Sequence, residues 1–241
     1  MARTLTTTRL RERLAAELAR QIVSGELPPG SPIPSEPELV EEYEVSKTVA
    51  RETVQMLGAV SLVNVQHGKR TTVQSGHEWN ILSPLVQQAF LDAGSVDALV
   101  RELHEVRQLL EPRAAAHAAA RASDEDCERL ERITRAACEQ RGPDDTDHFL
   151  ELDREFHLTV VRSGAHNRVL SGILRDVYTI FHKGIVELSE DSRQTAMEQH
   201  KAIADAIAAH DPTAAEQLMH DHLEWAAKAR GVRRARDTQP R

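Results

Sequence analysis

The sequence predicts a mainly α-helical protein, with an N-terminal winged helix-turn-helix and a C-terminal all-α helical bundle. Three observations support this fold class. Aromatic residues make up only 3% of the 241 residues, which is unfavourable for a β-sandwich core. Two short capped helices and a β-leaning hairpin precede residue 75. Every segment after residue 95 repeats its apolar residues with a helical period.

The N-terminal part of the chain contains signals for three helices and a hairpin. Leucine and isoleucine residues four positions apart predict a helix over 8–24. The proline-rich turn "LPPGSPIP" separates it from a short second helix, for which "SEPE" gives a capping box of Ser35 and Glu38. Ser46 caps a third helix that ends near Val60. The runs "LVNVQ" and "KRTTV" then predict two short strands.

The pattern divides the chain into four regions. Residues 1–75 form the winged helix-turn-helix, and residues 76–94 form a linker. Residues 95–230 form the helical bundle, and residues 231–241 form a basic tail without regular structure. Within the bundle, helices are predicted over 95–121, 124–140, 146–163, 166–188, 192–209 and 213–230.

Composition argues against a membrane protein and a secreted protein. No stretch approaches the ~20 apolar residues that a membrane-spanning helix needs, and no charged-then-apolar leader opens the sequence. The two cysteines, Cys127 and Cys138, lack CxxC spacing, and we interpret them as reduced thiols. We therefore expect a cytoplasmic protein without a membrane partner.

The net charge of −8 is unevenly distributed along the chain. Residues 1–75 hold nine basic and nine acidic residues and are neutral, so residues 76–241 carry all of the negative charge. Salt screens charges that are more than roughly 10 Å apart. An acidic protein can therefore still bind DNA through a local basic patch.

The third predicted helix presents groups that are suited to reading DNA. Its N-terminal turn is the part that reaches base edges in helix-turn-helix proteins. Arg51 can make a bidentate contact with guanine, and Lys47 can contact guanine or phosphate. The polar side chains that face outward on this helix are those of Lys47, Thr48, Arg51 and Gln55. The wing adds Gln66, His67, Gly68 and Lys69. The alternative is a solvated surface with scattered basic residues.

Three stretches of this region resemble the DNA-binding domain of GntR-type bacterial transcription regulators. They are "IVSGELPPGSPIPSEPEL", "VSKTVARETVQML" and "LVNVQHGKRTTV". The resemblance covers nearly all of residues 8–74 and implies binding to double-stranded DNA. The positions that match the family's operator-contacting residues are Ser46, Lys47, Thr48, Arg51, His67 and Gly68.

Four ionisable side chains interrupt the apolar stripes of three helices in the predicted bundle. Asp153 and His157 are one helical turn apart on the same face. His200 lies 11 residues before Asp211, and His222 lies 11 residues after it. An Asp-Pro pair begins a helix at that point, so it marks the turn of a helical hairpin. At ~1.5 Å per residue both histidines lie about 16 Å from the turn, at the same height.

The convergence of one aspartate and three histidines predicts a metal site. A buried carboxylate without a partner costs several kcal/mol, and a divalent cation removes that cost. We expect zinc first, with nickel, manganese or iron as alternatives. The alternatives are an Asp–His hydrogen-bond network with unrelated histidines, and a metal with a purely structural role. The predicted ligands are Asp153, His157, His200 and His222.

Arg107 also lies on the apolar stripe of its helix. It either pairs with Glu111 one turn later or holds the carboxylate of a ligand in its planar fork. A metal with open positions beside an arginine is suited to a small carboxylate. Arg107 is therefore the candidate effector-binding residue.

The second half of the chain resembles the FCD ligand domain of the FadR-type branch of GntR regulators. The matching stretches are "VRQLLEPRAAAHAA", "LDREFHLTVVRSGAHNRVL", "EQHKAIADAI" and "AEQLMHDHLEWA". The resemblance implies that the four predicted ligands match the branch's metal ligands and that Arg107 matches an effector-binding arginine. It also implies a homodimer formed through the helical domain, whose two recognition helices would read a palindromic operator.

We therefore expect a transcription regulator, a repressor, whose operator affinity is controlled by a small carboxylate at the metal site. "EWNILSPLV" is similar to sugar-acid-responsive members, whereas the "QHGK" wing is similar to fatty-acid-responsive members. An acyl-CoA-responsive regulator of lipid metabolism is accordingly one alternative. A metal-dependent hydrolase fused to a DNA-binding domain is another. The carboxylates Glu151 and Glu155 lie off the stripe, so no general base is in position and we expect no enzymatic activity.

Overall fold

The computed structural model describes residues 2–66, 68–139, 146–165, 167–184 and 189–237. These ranges contain ten α-helices and one two-stranded sheet, which confirms the predicted mainly α fold class. The chain divides into two compact units, residues 1–99 and 100–241. In the described ranges, no helix is both long enough and apolar enough to cross a bilayer.

The first unit has the element order of a winged helix-turn-helix. Strand β1 pairs with β2 in an antiparallel hairpin, with Val63 opposite Val73. The elements are α1 (Ala2–Ser24), α2 (Glu36–Glu42), α3 (Lys47–Ala59), β1 (Val63–Asn64), β2 (Thr72–Val73), a 3₁₀ helix (Gly76–Glu78) and α4 (Pro84–Asp92).

Capping interactions begin α2 and α3 where the sequence predicts them. The backbone N–H of Ser35 donates to Glu38 Oε2 at 2.6 Å, as a capping box requires. The hydroxyl of Ser46 accepts from the N–H of Val49 at 3.3 Å. Helices α1, α2 and α3 bury their apolar faces in one core. Its largest members include Leu18, Ile22, Leu39 and Leu57.

The stretch 76–94, which the sequence predicts as a linker, contains the 3₁₀ helix and α4. α4 packs against α1, and it buries Val86 and Ala89 in the core of the first unit. The apolar run "PLVQQAF" is too short for its period to distinguish a helix from a connector. Whether this stretch links two functional domains, with the boundaries given above, stays a prediction.

The second unit is a bundle in which α6 packs on α7 and α9, α7 packs on α8, and α9 packs on α10. The α9–α10 hairpin turns where predicted, because Asp211 Oδ1 accepts from the N–H of Ala214 at 3.0 Å and caps α10. The helices of the C-terminal part are α5 (Val96–Arg121), α6 (Asp124–Glu139), α7 (Thr146–Ala165), α8 (Arg168–Gly184), α9 (Glu190–Ala208) and α10 (Pro212–Asp237).

Helix α10 extends past residue 230, where the sequence analysis places a basic tail without regular structure. It continues to Asp237, and residues 238–241 lie outside the described ranges. The correction has a simple cause. Alanine and arginine are strong helix formers, and no proline occurs before Pro240 to end the helix.

Candidate functional site

The N-terminal turn of α3 presents the predicted DNA-reading residues to solvent. The predicted inward residues Val49, Val54 and Leu57 are buried. The N-terminal end of the helix therefore has its polar side chains on the outer face. The exposed residues are Ser46, Lys47, Thr48, Arg51 and Gln55.

The wing presents a second group of exposed residues. Gly68 has a φ of 72°, in the left-handed region that favours glycine, so the hairpin tip depends on this residue. Gln66 and Lys69 are exposed. The predicted contact at His67 lies outside the described residues.

Residues 1–75 have no net charge, yet the predicted DNA-reading cations among them form no ion pairs with described residues. Arg70 of the wing pairs with Glu38 at 3.0 Å, and Arg11 pairs with Glu52 at 3.0 Å. Within the described part of the chain, no carboxylate forms an ion pair with Lys47, Arg51 or Lys69. A local patch of cations that no described carboxylate pairs attracts phosphate even though residues 1–75 have zero net charge.

The four predicted metal ligands come together in the centre of the second unit. His157 on α7, His200 on α9 and His222 on α10 each offer a ring nitrogen, and the three nitrogens lie within 4.8 Å of one another. The Nε2 atoms of His200 and His222 are 3.2 Å apart. Asp153 Oδ1 lies 3.8 Å from His157 Nε2 and 3.7 Å from His200 Nε2. All three imidazoles are buried.

Neighbouring side chains orient two of these imidazoles. His157 Nδ1 lies 2.7 Å from Glu111 Oε2, and its Nε2 lies 3.3 Å from Arg107 Nη2. Arginine has only donors, so Nε2 of His157 accepts and its proton is on Nδ1, facing Glu111. His222 Nδ1 lies 2.8 Å from Gln199 Oε1, which places its proton on Nδ1 as well. Both rings therefore direct an Nε2 lone pair toward the cluster. The lone pair of His157 accepts from Arg107 Nη2 in this structure, and a metal ion would replace that donor.

Burial keeps His200 and His222 neutral. Burial lowers the pKa of His200 well below its ordinary value, and the nearby His157 and Arg107 lower it further. Burial also lowers the pKa of His222 well below its ordinary value, together with the neighbouring His200 and His157. Neutral imidazoles carry the free lone pair that a metal requires. Packing restrains them too, since the Phe156 ring stacks on His200 with centroids 4.2 Å apart.

Arg107 is fully buried and lies beside the cluster. Its Nε donates to Glu111 Oε1 at 2.7 Å, which is the pairing that the sequence analysis left as one of two possibilities. Its guanidinium lies 4.5 Å from the centroid of the Tyr178 ring. Glu111 stays ionised, because the charge of Arg107 and the contact with His157 outweigh its burial and hold its pKa well below the usual range.

A small cavity of about 30 Å³ opens beside the cluster. Its lining includes Arg107, Asp153 and His222 together with the aromatic residues Phe149 and Trp225. This volume suits one or two water molecules, whereas pockets for organic ligands are typically ten times larger. A carboxylate can enter only if side chains that line the cavity move.

Comparisons with known proteins identify both halves of the chain. Residues 10–73 match the bacterial regulatory proteins of the gntR family, and residues 102–224 match the FCD domain. The galactonate operon transcriptional repressor of Escherichia coli K12 is 32% identical over 210 residues, which cover 86% of this chain and 90% of the relative. The chain belongs to the GntR family of bacterial regulators. It is a transcription regulator with an FCD domain, and not an enzyme.

Solved structures have the same fold. The GntR protein of Streptococcus agalactiae is 27% identical, with a TM-score of 0.50 over 90% of this chain and 99% of that chain. Lar of Listeria monocytogenes has a TM-score of 0.62 over 90% of this chain and 95% of that chain. At 16% identity, this second similarity is evidence for the fold alone.

Three residues of this GntR protein's cluster are absent from the predicted site. Glu111 appeared only as a partner of Arg107, and neither Gln199 nor Tyr178 was singled out. Tyr178 donates from its hydroxyl to both oxygens of Glu111, at 2.9 and 3.0 Å. Gln199 precedes a predicted ligand directly, a weak signal. Tyr178 gave no signal, since an aromatic residue on a helix is usually part of the core.

Proposed function

We propose that this GntR regulator is a repressor whose operator affinity is controlled by a small carboxylate bound at a metal ion in its FCD domain. The convergence of three imidazole nitrogens and the Asp153 carboxylate carries the proposal. The proposed ligands are Asp153, His157, His200 and His222.

The donor set fits a transition metal. In a tetrahedral zinc site with Zn–N distances of about 2.0–2.1 Å, neighbouring ligand atoms lie about 3.3 Å apart. The 3.2 Å separation between His200 Nε2 and His222 Nε2 has this size. The Glu111 oxygen beside Nδ1 of His157 and the Gln199 oxygen beside Nδ1 of His222 are the kind of outer partner that supports metal-bound histidines. Zinc is our first choice, followed by nickel, manganese and iron.

Arg107 supports a carboxylate as the effector. A buried guanidinium beside the cluster offers directional donors to an anion, while the metal would supply a Lewis acid with open positions. The name of the Escherichia coli relative refers to galactonate, which is a sugar acid. We therefore place sugar acids first among the candidates. An acyl-CoA is less suitable, because the buried cavity beside the cluster would have to open much further for an acyl chain than for a small acid.

We extend the proposal to assembly and DNA binding. A homodimer would place two copies of α3 and two wings on a palindromic operator. The contacts would come from Ser46, Lys47, Thr48, Arg51, Gln66, His67, Gly68 and Lys69. Because the operator is part of the bacterial chromosome, we place the protein in the cytoplasm.

The test is a titration of sugar acids and other small organic acids against the zinc-loaded protein on a labelled fragment of its own upstream DNA. We expect one acid to release the DNA, measured as a fall in fluorescence anisotropy. An effector shifts DNA affinity only by its differential affinity for the two conformations, so release requires tighter binding to the DNA-free form.

Variants connect the release to the site. His222→Ala should lose both zinc binding and release by the acid. His220→Ala changes an exposed histidine on the same helix and should behave as the parent protein. If zinc binds equally well to His222→Ala, the proposed centre is wrong.

A further inference from the structure

Glu111 is a buried carboxylate that lies between Arg107, Tyr178 and the proposed metal ligand His157. Its side chain is 1% exposed. It accepts from Arg107 Nε at 2.7 Å and from the Tyr178 hydroxyl at 2.9 and 3.0 Å. Its Oε2 also lies 2.7 Å from His157 Nδ1. Its three partners lie on α5, α7 and α8.

The contacts of His157 determine which of its nitrogens can bind a metal. The Arg107 guanidinium can only donate, so the lone pair of His157 is on Nε2, 3.3 Å from Arg107 Nη2. The proton on Nδ1 then faces the Glu111 carboxylate. Without this acceptor, the proton has no reason to stay on Nδ1, and the ring has less reason to keep its orientation.

Glu111 holds Arg107 in the same way. The two residues are one helical turn apart and form a salt bridge, and both side chains are almost completely buried. One carboxylate thus restrains the proposed ligand His157 and the proposed effector-binding Arg107 at once. Tyr178 in turn restrains Glu111, because its hydroxyl donates to both carboxylate oxygens.

We propose that Glu111 is the positioning residue of this centre, which directs the Nε2 lone pair of His157 to the metal and holds Arg107 beside it. The inference rests on the proposed function, since it assumes that His157 is a ligand. It assigns Glu111 no contact with the metal. It predicts that metal affinity depends on a residue outside the ligand set.

The test compares zinc binding by the wild-type chain and by Glu111→Gln, using competition with a zinc indicator. The amide has the same size but lacks the charge, and it offers one acceptor oxygen to three donors. We expect the zinc Kd to rise about 10- to 100-fold, the usual cost of losing an outer partner of a metal-bound histidine. Glu216→Gln is the matched control, because it removes a carboxylate from the surface ion pair with Arg113 and should leave the Kd unchanged.

A second measurement separates positioning from general loss of structure. The visible absorption spectrum of the cobalt-loaded protein reports the ligand geometry directly. Glu111→Gln should change this spectrum while its circular dichroism stays native, and Glu111→Asp should recover part of the affinity. An unchanged spectrum together with a wild-type zinc Kd would overturn the inference.

Glu111→Gln leaves the buried Arg107 without its counter-charge, and this variant can fail to fold. Tyr178→Phe then tests the same idea, because it keeps both charges and removes only the hydroxyl that holds Glu111. We expect a zinc Kd about threefold or more above that of the wild type. An unchanged Kd in this variant contradicts the inference. If the wild-type chain itself binds no metal, the proposed function fails and this inference fails with it. If the wild-type chain binds zinc and the variants bind it equally well, only this inference fails.

Discussion

Arg51 is the exposed residue on which we expect operator specificity to depend most. It lies in the first turns of α3, and no described carboxylate neutralises it. A guanidinium can bind the O6 and N7 atoms of guanine at the same time, which a shorter or uncharged side chain cannot do.

The first prediction concerns this residue. Arg51→Ala should weaken binding to the operator by about 1–3 kcal/mol per lost guanine contact, or roughly 5- to 150-fold. Fluorescence anisotropy at fixed salt concentration measures the Kd. Arg132→Ala, which removes an exposed arginine of the second unit, should bind as the parent protein does. Equal operator affinity in Arg51→Ala would mean that α3 does not read the DNA.

The second prediction concerns pH and the metal-free protein. His200 and His222 are neutral when folded, because burial lowers their pKa well below the ordinary value. In the unfolded chain they take up protons near pH 6.5. The unfolded state therefore binds more protons below that pH, so the free energy of unfolding should fall as the pH is lowered from 7.5 to 5. The slope can reach about 1.4 kcal/mol per pH unit for each histidine.

Denaturant titrations at several pH values measure this slope. A double variant, His200→Ala with His222→Ala, should have a flatter profile between pH 7.5 and 5. His220→Ala should retain the wild-type profile, because that histidine is exposed. An identical slope in all three proteins would contradict the assignment of neutral buried imidazoles.

At the scale of elements, the crossing of α5 and α7 determines how close Glu111 comes to His157. Gly164 on α7 lies against the backbone of α5, where an added Cβ would come within 2.5 Å of the Ala114 carbonyl oxygen and 2.8 Å of the His117 carbonyl carbon. The alanine-rich run of α5 supplies the matching small residues. Backbone atoms cannot rotate away, so the helices must separate to accept a methyl group there.

The third prediction follows from this crossing. Gly164→Ala should destabilise the protein by about 1–3 kcal/mol or more, because overpacking outweighs the gain in helix propensity. Gly172→Ala on α8 is the matched control. Its added Cβ would meet only Arg175 Nη2, at 4.0 Å, so it should stabilise the protein by up to about 1 kcal/mol. Chemical denaturation measures both. Similar effects of the two changes would show that the crossing is not tight.

At the scale of the whole molecule, metal binding is linked to folding. The three imidazoles and the aspartate come from α7, α9 and α10, so the site exists only when the second unit is folded. A ligand that binds only the folded state stabilises it in proportion to the logarithm of its concentration over its Kd.

The fourth prediction uses this linkage to separate a sensing metal from a structural one. Zinc at 100 times its Kd should stabilise the protein by about 2.7 kcal/mol, and a chelator should reverse this. A bound sugar acid should then raise the melting temperature further, and Arg107→Met should abolish only this second increase. Arg107→Lys keeps the charge beside Glu111 but lacks the planar fork, and it is the control for any loss of stability in Arg107→Met. Stabilisation by zinc with no response to any acid would indicate a structural metal.

The interpretation of the sequence was most accurate where one helix or one hairpin of helices decides the outcome. The spacing of Asp153 and His157 places both on one face of α7. The equal distances of His200 and His222 from the α9–α10 turn placed their nitrogens together. It was least accurate for α4, whose apolar run is short, and for the end of α10, where a basic composition was taken for a tail.

The sequence by itself determined the family through stretches that resemble GntR regulators. It also determined the order of the helices and the four side chains that converge, because helical period and capping are local properties that repeat along the chain. Only the tertiary structure decided that Glu111 lies between Arg107, His157 and Tyr178. His157 is 50 residues from Arg107 along the chain, and Tyr178 is 67 residues from Glu111. Contacts at such separations depend on how closely α5, α7 and α8 cross. That closeness comes from the packing of small side chains such as Gly164, whose contacts no local pattern records.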